Sequence, residues 1–128
     1  SKAFCNRALS GLYLDQRFMA GLGNYLRSEI LFAAGVHPSL KPSQLDDEQL
    51  RNLAHHTLAI CKRSYETGGY TVYTELREVL EAKGINFEGT RFMVFDREEQ
   101  SCRVCATLIK RQTYNGRRLY WCSQCQAK

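Results

Sequence analysis

The sequence contains no apolar run long enough to cross a membrane. A membrane-spanning helix needs about 20 consecutive apolar residues, and no stretch of this 128-residue chain approaches that length. Internal repeats and low-complexity segments are also absent, and Pro38 and Pro42 are the only prolines. We therefore expect a soluble chain without a membrane partner, built as one ordinary domain or as one domain with a small appendage.

Acidic residues are missing from the C-terminal end of the chain. The whole sequence has a formal net charge of +5 and a pI of about 9.0. From Ser101 to Lys128, however, no Asp or Glu occurs among six basic residues: Arg103, Lys110, Arg111, Arg117, Arg118 and Lys128. The basic surface is therefore concentrated at this end, which permits a nucleic-acid partner without requiring one.

Four of the six cysteines form two close pairs in the same basic region. Cys102 and Cys105 make one C-x-x-C pair, and Cys122 and Cys125 make a second after sixteen intervening residues. This spacing is typical of a site in which four thiolates bind one tetrahedral zinc ion. The alternative is a pair of disulfides in a secreted protein, but tight C-x-x-C pairs suit a metal better and no secretion signal is visible. We expect one structural Zn²⁺.

The residues between the two cysteine pairs predict a β-hairpin. Residues 107–113 favour a strand, residues 114–116 carry the strong Asn-Gly turn signal, and residues 117–121 favour a returning strand. Such a hairpin brings the second cysteine pair back beside the first. A unit this small buries little apolar surface, so metal binding, worth roughly 10–16 kcal/mol in zinc-finger peptides, would hold it together.

Two glycines interrupt a helical pattern near the start of the chain. Residues 1–15 predict one helix, and a new periodicity begins at Leu26. Between them, Gly21-Leu22-Gly23-Asn24 predicts a tight turn with Asn24 at or near an N-cap. A helix N-terminus presents free N–H groups, so a nucleic-acid phosphate would fit there. Taken alone, the pattern favours a purely structural turn. Its occurrence in the same chain as a basic four-cysteine ribbon favours phosphate binding.

Further helices are predicted in the middle of the chain. Ser43 and Asp46 have the spacing of a capping box before a long amphipathic helix that ends near Glu66 and buries Leu53, Cys61 and Tyr65, among others. The acidic residues 46–48 suit a helix start better than a metal site. Residues 71–83 predict a shorter helix, residues 85–89 a loop, residues 91–95 a strand and residues 96–100 a polar turn.

The fold class expected from these patterns is mainly α with a small β zinc ribbon. A helical, helix-two-turn-helix body would occupy residues 1–90, and the four-cysteine β-hairpin would occupy residues 91–128.

These motifs together support a family resemblance. The chain resembles the C-terminal half of the formamidopyrimidine-DNA glycosylase and endonuclease VIII family, whose members excise oxidised bases. Residues 15–31 look like its helix-two-turn-helix motif, and residues 102–126 look like its zinc ribbon. Linking segments of the family are resembled by Ala34-Gly35-Val36-His37-Pro38 and by Ser64-Tyr65-Glu66-Thr67-Gly68-Gly69. Residues 14–16, 24–27 and 120–122 favour the endonuclease VIII branch, whereas residues 34–38 favour the other.

The resemblance implies a set of DNA-contacting residues. In the family, the asparagine that matches Asn24 binds a phosphate beside the damaged nucleotide, and the arginine that matches Arg117 grips phosphates from the ribbon's hairpin tip. Gly23 and Arg118 adjoin these positions and are further candidates. Such contacts position the DNA while a nucleotide is turned out of the stack, but they carry no base identity.

One part of the family pattern has no counterpart in this chain. Family members attack the sugar with the amine of an N-terminal proline, assisted by a glutamate and a lysine, all in a separate N-terminal β domain. This chain begins with Ser1. We therefore expect a monomeric fragment, inactive by itself, of a bacterial cytoplasmic glycosylase and abasic-site lyase. Its expected partners are duplex DNA with a damaged or abasic site and the missing catalytic domain.

A function from a different class fits the same residues. Helix-turn elements and zinc ribbons occur outside repair enzymes, so a noncatalytic module that binds RNA or a protein partner stays open.

Overall fold

Helices come first along the chain and a β-hairpin follows them. The computed structural model describes residues 23–114 and 116–127. Their elements are α1 (Asn24–Ala34), α2 (Asp47–Thr67), α3 (Thr74–Ala82), α4 (Phe87–Thr90), β1 (Lys110–Tyr114) and β2 (Arg117–Trp121). This mostly helical arrangement with one small hairpin agrees with the expected fold class. The helix predicted over residues 1–15 and the first half of the helix-turn-helix motif lie outside the described residues.

Helices α1 and α2 form the centre of the helical body. The apolar periodicity predicted for α1 is confirmed, because Leu26, Ile30 and Leu31 are buried in one cluster with Leu53 and Ile60 of α2. Helix α1 ends at Gly35, whose φ of 70° is left-handed and favours glycine. In the part of the chain that the structure describes, none of the helices has the length and apolar character that a membrane crossing requires.

Helix α2 begins later than the sequence suggested. The capping box predicted at Ser43 and Asp46 is wrong, since Asp46 is itself the N-cap and pairs with Gln49. The Asp46 carboxylate accepts from the Gln49 N–H at 2.8 Å, and the Gln49 side chain accepts from the Asp46 N–H at 2.9 Å. Glutamine completes this motif as well as glutamate does, and the residues before it form a 3₁₀ turn, Pro42–Gln44.

The buried face of α2 also differs in part from the prediction. Tyr65 is 59% exposed, whereas Ser64 is buried. The Ser64 hydroxyl lies 3.0 Å from the Tyr25 hydroxyl, so this position of α2 faces α1 and is occupied by a small polar side chain.

Residues 85–95 are organised differently from the prediction of a loop followed by a strand. Residues 87–90 form the short helix α4, capped by Asn86, whose side chain accepts from the Gly89 N–H at 2.9 Å. Residues 91–95 are not a strand. Their buried backbone donates to a carboxylate on α1 instead of to a neighbouring strand.

The two strands form one antiparallel hairpin. Lys110 pairs with Trp121 at its base and Tyr114 pairs with Arg117 at its tip, so two residues separate the strands. Strand β2 has the predicted bounds, but β1 begins three residues later than predicted. The reason is that the residues before it turn around the first cysteine pair, where the Cys102 N–H donates to the Thr107 carbonyl at 2.7 Å.

The hairpin and the helices share their apolar cores. Leu119 of β2 is buried in the α1–α2 cluster. A second cluster joins Phe32 of α1 and Val72 to Ile109 and Tyr120 around the hairpin. The predicted boundary between residues 90 and 91 stays a prediction.

Candidate metal centre and nucleic-acid interface

The four paired cysteines converge on one point. All four Sγ atoms lie within 4.8 Å of one another, with Cys102 and Cys125 3.8 Å apart and Cys105 and Cys122 3.3 Å apart. Sulfur ligands about 2.3 Å from a zinc ion stand roughly 3.8 Å from each other at the corners of a tetrahedron. The arrangement therefore fits one tetrahedral ion, and each of the four is a free cysteine.

Backbone N–H groups around the cysteines point at sulfur. The Val104 N–H donates to Cys102 Sγ and the Cys125 N–H donates to Cys122 Sγ, both at 3.4 Å. Hydrogen bonds to sulfur stabilise thiolate charge and orient the ligand. The local backbone is thus already folded as two knuckles that present four sulfur atoms inward.

The environment shifts the pKa values of three of the cysteine thiols in different directions. Hydrogen bonds from the Thr107 hydroxyl and backbone N–H lower the pKa of Cys105 to about 6. Burial raises the pKa of Cys122 and of Cys125. A divalent cation offsets such a burial cost and draws the remaining thiols into the thiolate form. The donor set is therefore chemically suited to a thiolate-binding metal such as zinc.

Gln126 anchors the second knuckle to the helical body. Its side chain is fully buried. It accepts from the Cys122 N–H and donates to the Val36 carbonyl, both at 2.9 Å. The position just after the last cysteine therefore fixes the knuckle against the end of α1, a role that the sequence analysis did not assign.

The start of α1 presents a helix N-terminus without a side-chain cap from its own N-cap residue. Gly23, not Asn24, is the N-cap, and it makes no side-chain capping bond. Asn24 is the first helical residue. The N–H groups of a first helical turn have no intrahelical acceptor, and with the helix dipole they favour an anion. The N-cap therefore lies within one residue of its predicted position at Asn24, whereas residues 21 and 22 of the predicted turn lie outside the described residues.

The described residues around Gly23 do not require a glycine at this position. Its φ is −62°, which any residue adopts. A Cβ built on it would meet no atom within 4 Å among the described residues, and the residue is exposed. Neither backbone conformation nor packing in the described part of the chain therefore accounts for a glycine at this position.

The start of β2 carries the two candidate arginines. Arg117 is the first residue of the strand, and Arg118 follows it with an exposed side chain. The next residue, Leu119, is buried against α1. The arginine pair is therefore fixed to the helical body through its immediate neighbour.

Two kinds of contact tie β2 to the first turns of α1. The Tyr120 N–H donates to the Ser28 hydroxyl at 3.1 Å. A chain of ring contacts also runs from Tyr25 to Phe92, Phe95 and Tyr120, with centroid separations of 5.2, 5.0 and 4.9 Å at successive steps. Aromatic pairs at these separations contribute beyond the apolar area they bury. The start of α1 and β2 therefore belong to one packed unit.

Glu29 is a buried carboxylate that sequence reasoning missed. It is 1% exposed and accepts hydrogen bonds from the Thr71 hydroxyl and from three consecutive backbone N–H groups, those of residues 93–95. Burial raises the pKa of Glu29, and the four hydrogen bonds oppose that shift. A signal existed in the sequence, because a glutamate interrupts an apolar helix face between Leu26 and Ile30.

A family comparison covers most of this helical region. The family model described as the formamidopyrimidine-DNA glycosylase H2TH domain matches residues 2–76, which is more than half of the chain. The chain belongs to this family. The resemblance inferred from the residues is therefore confirmed.

Curated relatives agree with the branch favoured by the sequence. Endonuclease 8 from Klebsiella pneumoniae subsp. pneumoniae is 44% identical over 126 residues, which cover 98% of this chain. The same alignment covers only 44% of the relative. The chain thus spans less than half the length of the curated relative that it matches.

Solved structures of the family share the fold. The MutM (Fpg) protein from Thermus thermophilus is 27% identical with a TM-score of 0.68, covering 100% of this chain and 50% of its own. Lactococcus lactis Fpg, solved in complex with DNA containing an abasic site, is 22% identical with a TM-score of 0.67. The match covers 99% of this chain and 47% of the Lactococcus lactis chain. The second likeness concerns the fold alone.

Proposed function

We propose that this chain is the DNA-binding portion of a base-excision-repair glycosylase and abasic-site lyase that acts on oxidised bases. Gly23 and Asn24 on one side, and Arg117 and Arg118 on the other, would hold the phosphates that flank the lesion. Family membership and the abasic-site DNA bound by the Lactococcus lactis neighbour support this assignment. The chemistry itself would come from the catalytic domain of a longer protein.

The observation that carries the proposal is the exposed N-cap glycine at the start of α1. Glycine serves as an N-cap, and a Cβ at this position would meet no atom within 4 Å among the described residues, so a ligand has room to approach the backbone closely. A phosphate is the natural candidate, because the N–H groups of a first helical turn and the helix dipole favour an anion at this point. A side chain at position 23 would push that phosphate away.

The metal centre supports the proposed phosphate contacts of Arg117 and Arg118. One structural Zn²⁺ held by Cys102, Cys105, Cys122 and Cys125 would supply the folding free energy that a small hairpin lacks. Four thiolates around Zn²⁺ carry a net charge of −2, but six basic residues and no acid lie between residues 101 and 128. The ribbon would therefore keep a positive surface toward DNA.

A binding series tests the proposal. The zinc-loaded protein should bind a duplex containing an abasic site more tightly than an intact duplex or a single-stranded RNA of the same length. Arg117→Ala should lower the log–log salt slope by about one, as expected for the loss of one phosphate contact. Gly23→Ala should weaken DNA binding while leaving the unfolding free energy nearly unchanged, since the entropic gain of alanine offsets its poorer capping.

The controls distinguish specific phosphate contacts from nonspecific attraction between a basic protein and DNA. Arg51 is an exposed α2 residue beside Asn52, whose side chain binds the carbonyl of Ala34 at the opposite end of α1. Arg51→Ala removes the same charge and should leave the salt slope unchanged. Equal binding to all three nucleic acids would contradict the proposal and favour a noncatalytic ribbon module. A large loss of stability in Gly23→Ala would instead make the turn purely structural.

A further inference from the structure

The segment that follows α4 is buried over residues 92–94 without regular secondary structure. Residues 92–95, called the linker here, include Phe92, Met93 and Val94, which are 7%, 7% and 0% exposed. Buried backbone outside helices and sheets must find hydrogen-bond partners elsewhere. The identity of those partners decides what the linker is attached to.

Side chains of the helical body and of the ribbon form hydrogen bonds with the linker backbone. On the helical side, Glu29 accepts from the N–H groups of Met93, Val94 and Phe95 at 2.7, 2.7 and 2.9 Å. On the ribbon side, Arg103 donates to the Phe92 carbonyl at 3.0 Å. Arg103 stands between Cys102 and Cys105 in the first knuckle. The linker is therefore bound at once to α1 and to the candidate metal centre.

Two consecutive residues of α1 hold both sides of the ribbon. Ser28 accepts from the Tyr120 N–H of β2 at 3.1 Å, and Glu29 holds the linker that leads into the first knuckle. Both lie within five residues of Asn24, at the end of the helix that would face a phosphate. Both carboxylate oxygens of Glu29 accept hydrogen bonds, and buried polar groups that are satisfied in this way tend to specify a single arrangement of the segments they join.

We propose that Glu29 is a positioning residue that fixes the ribbon relative to the start of α1. It thereby sets the spacing between the phosphate contacts made from α1 and those made from β2. The inference rests on the proposed DNA-binding function. It identifies the residue that keeps the phosphate contacts of α1 and those of β2 at a fixed distance from each other. Glu29→Gln nearly preserves side-chain volume. The glutamine amide N–H groups, however, would face the backbone N–H groups of the linker, and two donors cannot form a hydrogen bond with each other. The linker would then have no single preferred position.

A double-mutant cycle tests this role. The dissociation constant for an abasic-site duplex is measured for the zinc-loaded wild type, Glu29→Gln, Arg117→Ala and the double variant. In the wild type, loss of a charged hydrogen bond should weaken binding by roughly tenfold. In the Glu29→Gln background, the same arginine substitution should change binding by less than about twofold, because a misplaced ribbon no longer makes the contact. Additive losses would overturn the proposal.

The controls distinguish positioning from lost stability. Leu53→Ala removes a buried α2 side chain that belongs to the α1–α2 cluster and makes no polar contact with the linker. In that background Arg117→Ala should keep its full effect. Zinc content and far-UV circular dichroism are measured for each variant, so that only folded, zinc-loaded proteins are compared. If Glu29→Gln does not fold, Ser28→Ala enters the same cycle and must also be non-additive.

The possible failures can be told apart. A wild type with no preference for abasic-site DNA would contradict the proposed function. A wild type with that preference, combined with additive losses, would contradict only the role of Glu29. If Arg117→Ala has no effect, Arg118→Ala takes its place; if neither matters, the ribbon contact and the role of Glu29 are wrong, although the DNA preference stands.

Discussion

Ala106 adopts a backbone conformation that alanine disfavours. Its φ is +68°, and the left-handed region costs a residue with a Cβ roughly 1–2 kcal/mol. The residue directly follows Cys105, and its N–H donates to the Cys102 carbonyl at 2.9 Å. The turn that aims the first cysteine pair inward therefore imposes this conformation, and the exposed side chain gains little in return.

Replacing this alanine with glycine should stabilise the zinc-loaded protein. Removing the strain is offset in part by the greater freedom of glycine in the unfolded chain, so Ala106→Gly should raise the unfolding free energy by about 0.5–1 kcal/mol. Urea denaturation measures the change. Ala82→Gly, at the exposed last residue of α3, should instead destabilise by up to about 1 kcal/mol. A loss of stability in both variants would show that Ala106 is not strained.

Single residues differ in how far the sequence reveals their roles. The cysteine pairs could be recognised by spacing, because two knuckles and one ion impose local distances. Glu29 could be recognised only as an anomaly on an apolar helix face. Its backbone donors lie 64–66 residues further along the chain, at positions 93–95, and no local pattern in either segment refers to the other.

At the scale of elements, the capping box of α2 is a local device with a measurable energy. The Asp46 side chain accepts from Gln49 at the start of a 21-residue helix. Asp46→Ala should lower the unfolding free energy by about 1 kcal/mol. Asp47→Ala is the matched control, because Asp47 lies in the first turn without being the cap and should cost less. Equal losses in thermal or urea unfolding would assign the effect to the helix dipole alone.

The elements themselves are predictable where their stabilisation is local. The hairpin follows from its turn signal and β-forming residues, and α2 follows from apolar periodicity. The linker sequence predicts a strand because its composition suits burial in a sheet. A carboxylate on α1 provides the acceptors that a neighbouring strand would have supplied, and this substitution depends on tertiary packing.

At the scale of the whole molecule, metal removal should affect the ribbon side of the proposed DNA contact and spare the helical side. Most members of the α1–α2 cluster belong to the helices themselves, including Leu26, Ile30, Leu53 and Ile60, and Leu119 is the contribution of β2. The small hairpin unit would depend on a metal bound by the four cysteines. Chelation of zinc should therefore abolish binding to abasic-site DNA while most of the helical circular dichroism signal persists.

Restoring zinc supplies the control for this experiment. Binding should return when Zn²⁺ is added back to the chelated protein, and it should not return for a Cys122→Ala variant treated in the same way. DNA binding that survives complete zinc removal would show that the ribbon does not grip the phosphates.

The sequence by itself determined the local features of this protein. The cysteine spacing, the hairpin's turn signal, the helix periodicities and the glycine-rich motif are all patterns of a few neighbouring residues, and together they led to the correct family. Tertiary structure decided how those pieces are joined. The burial of Glu29 against the linker, the anchor at Gln126 and the contact between Ser28 and Tyr120 join residues 64–92 positions apart. Only the packed chain brings such distant donors and acceptors within hydrogen-bond reach.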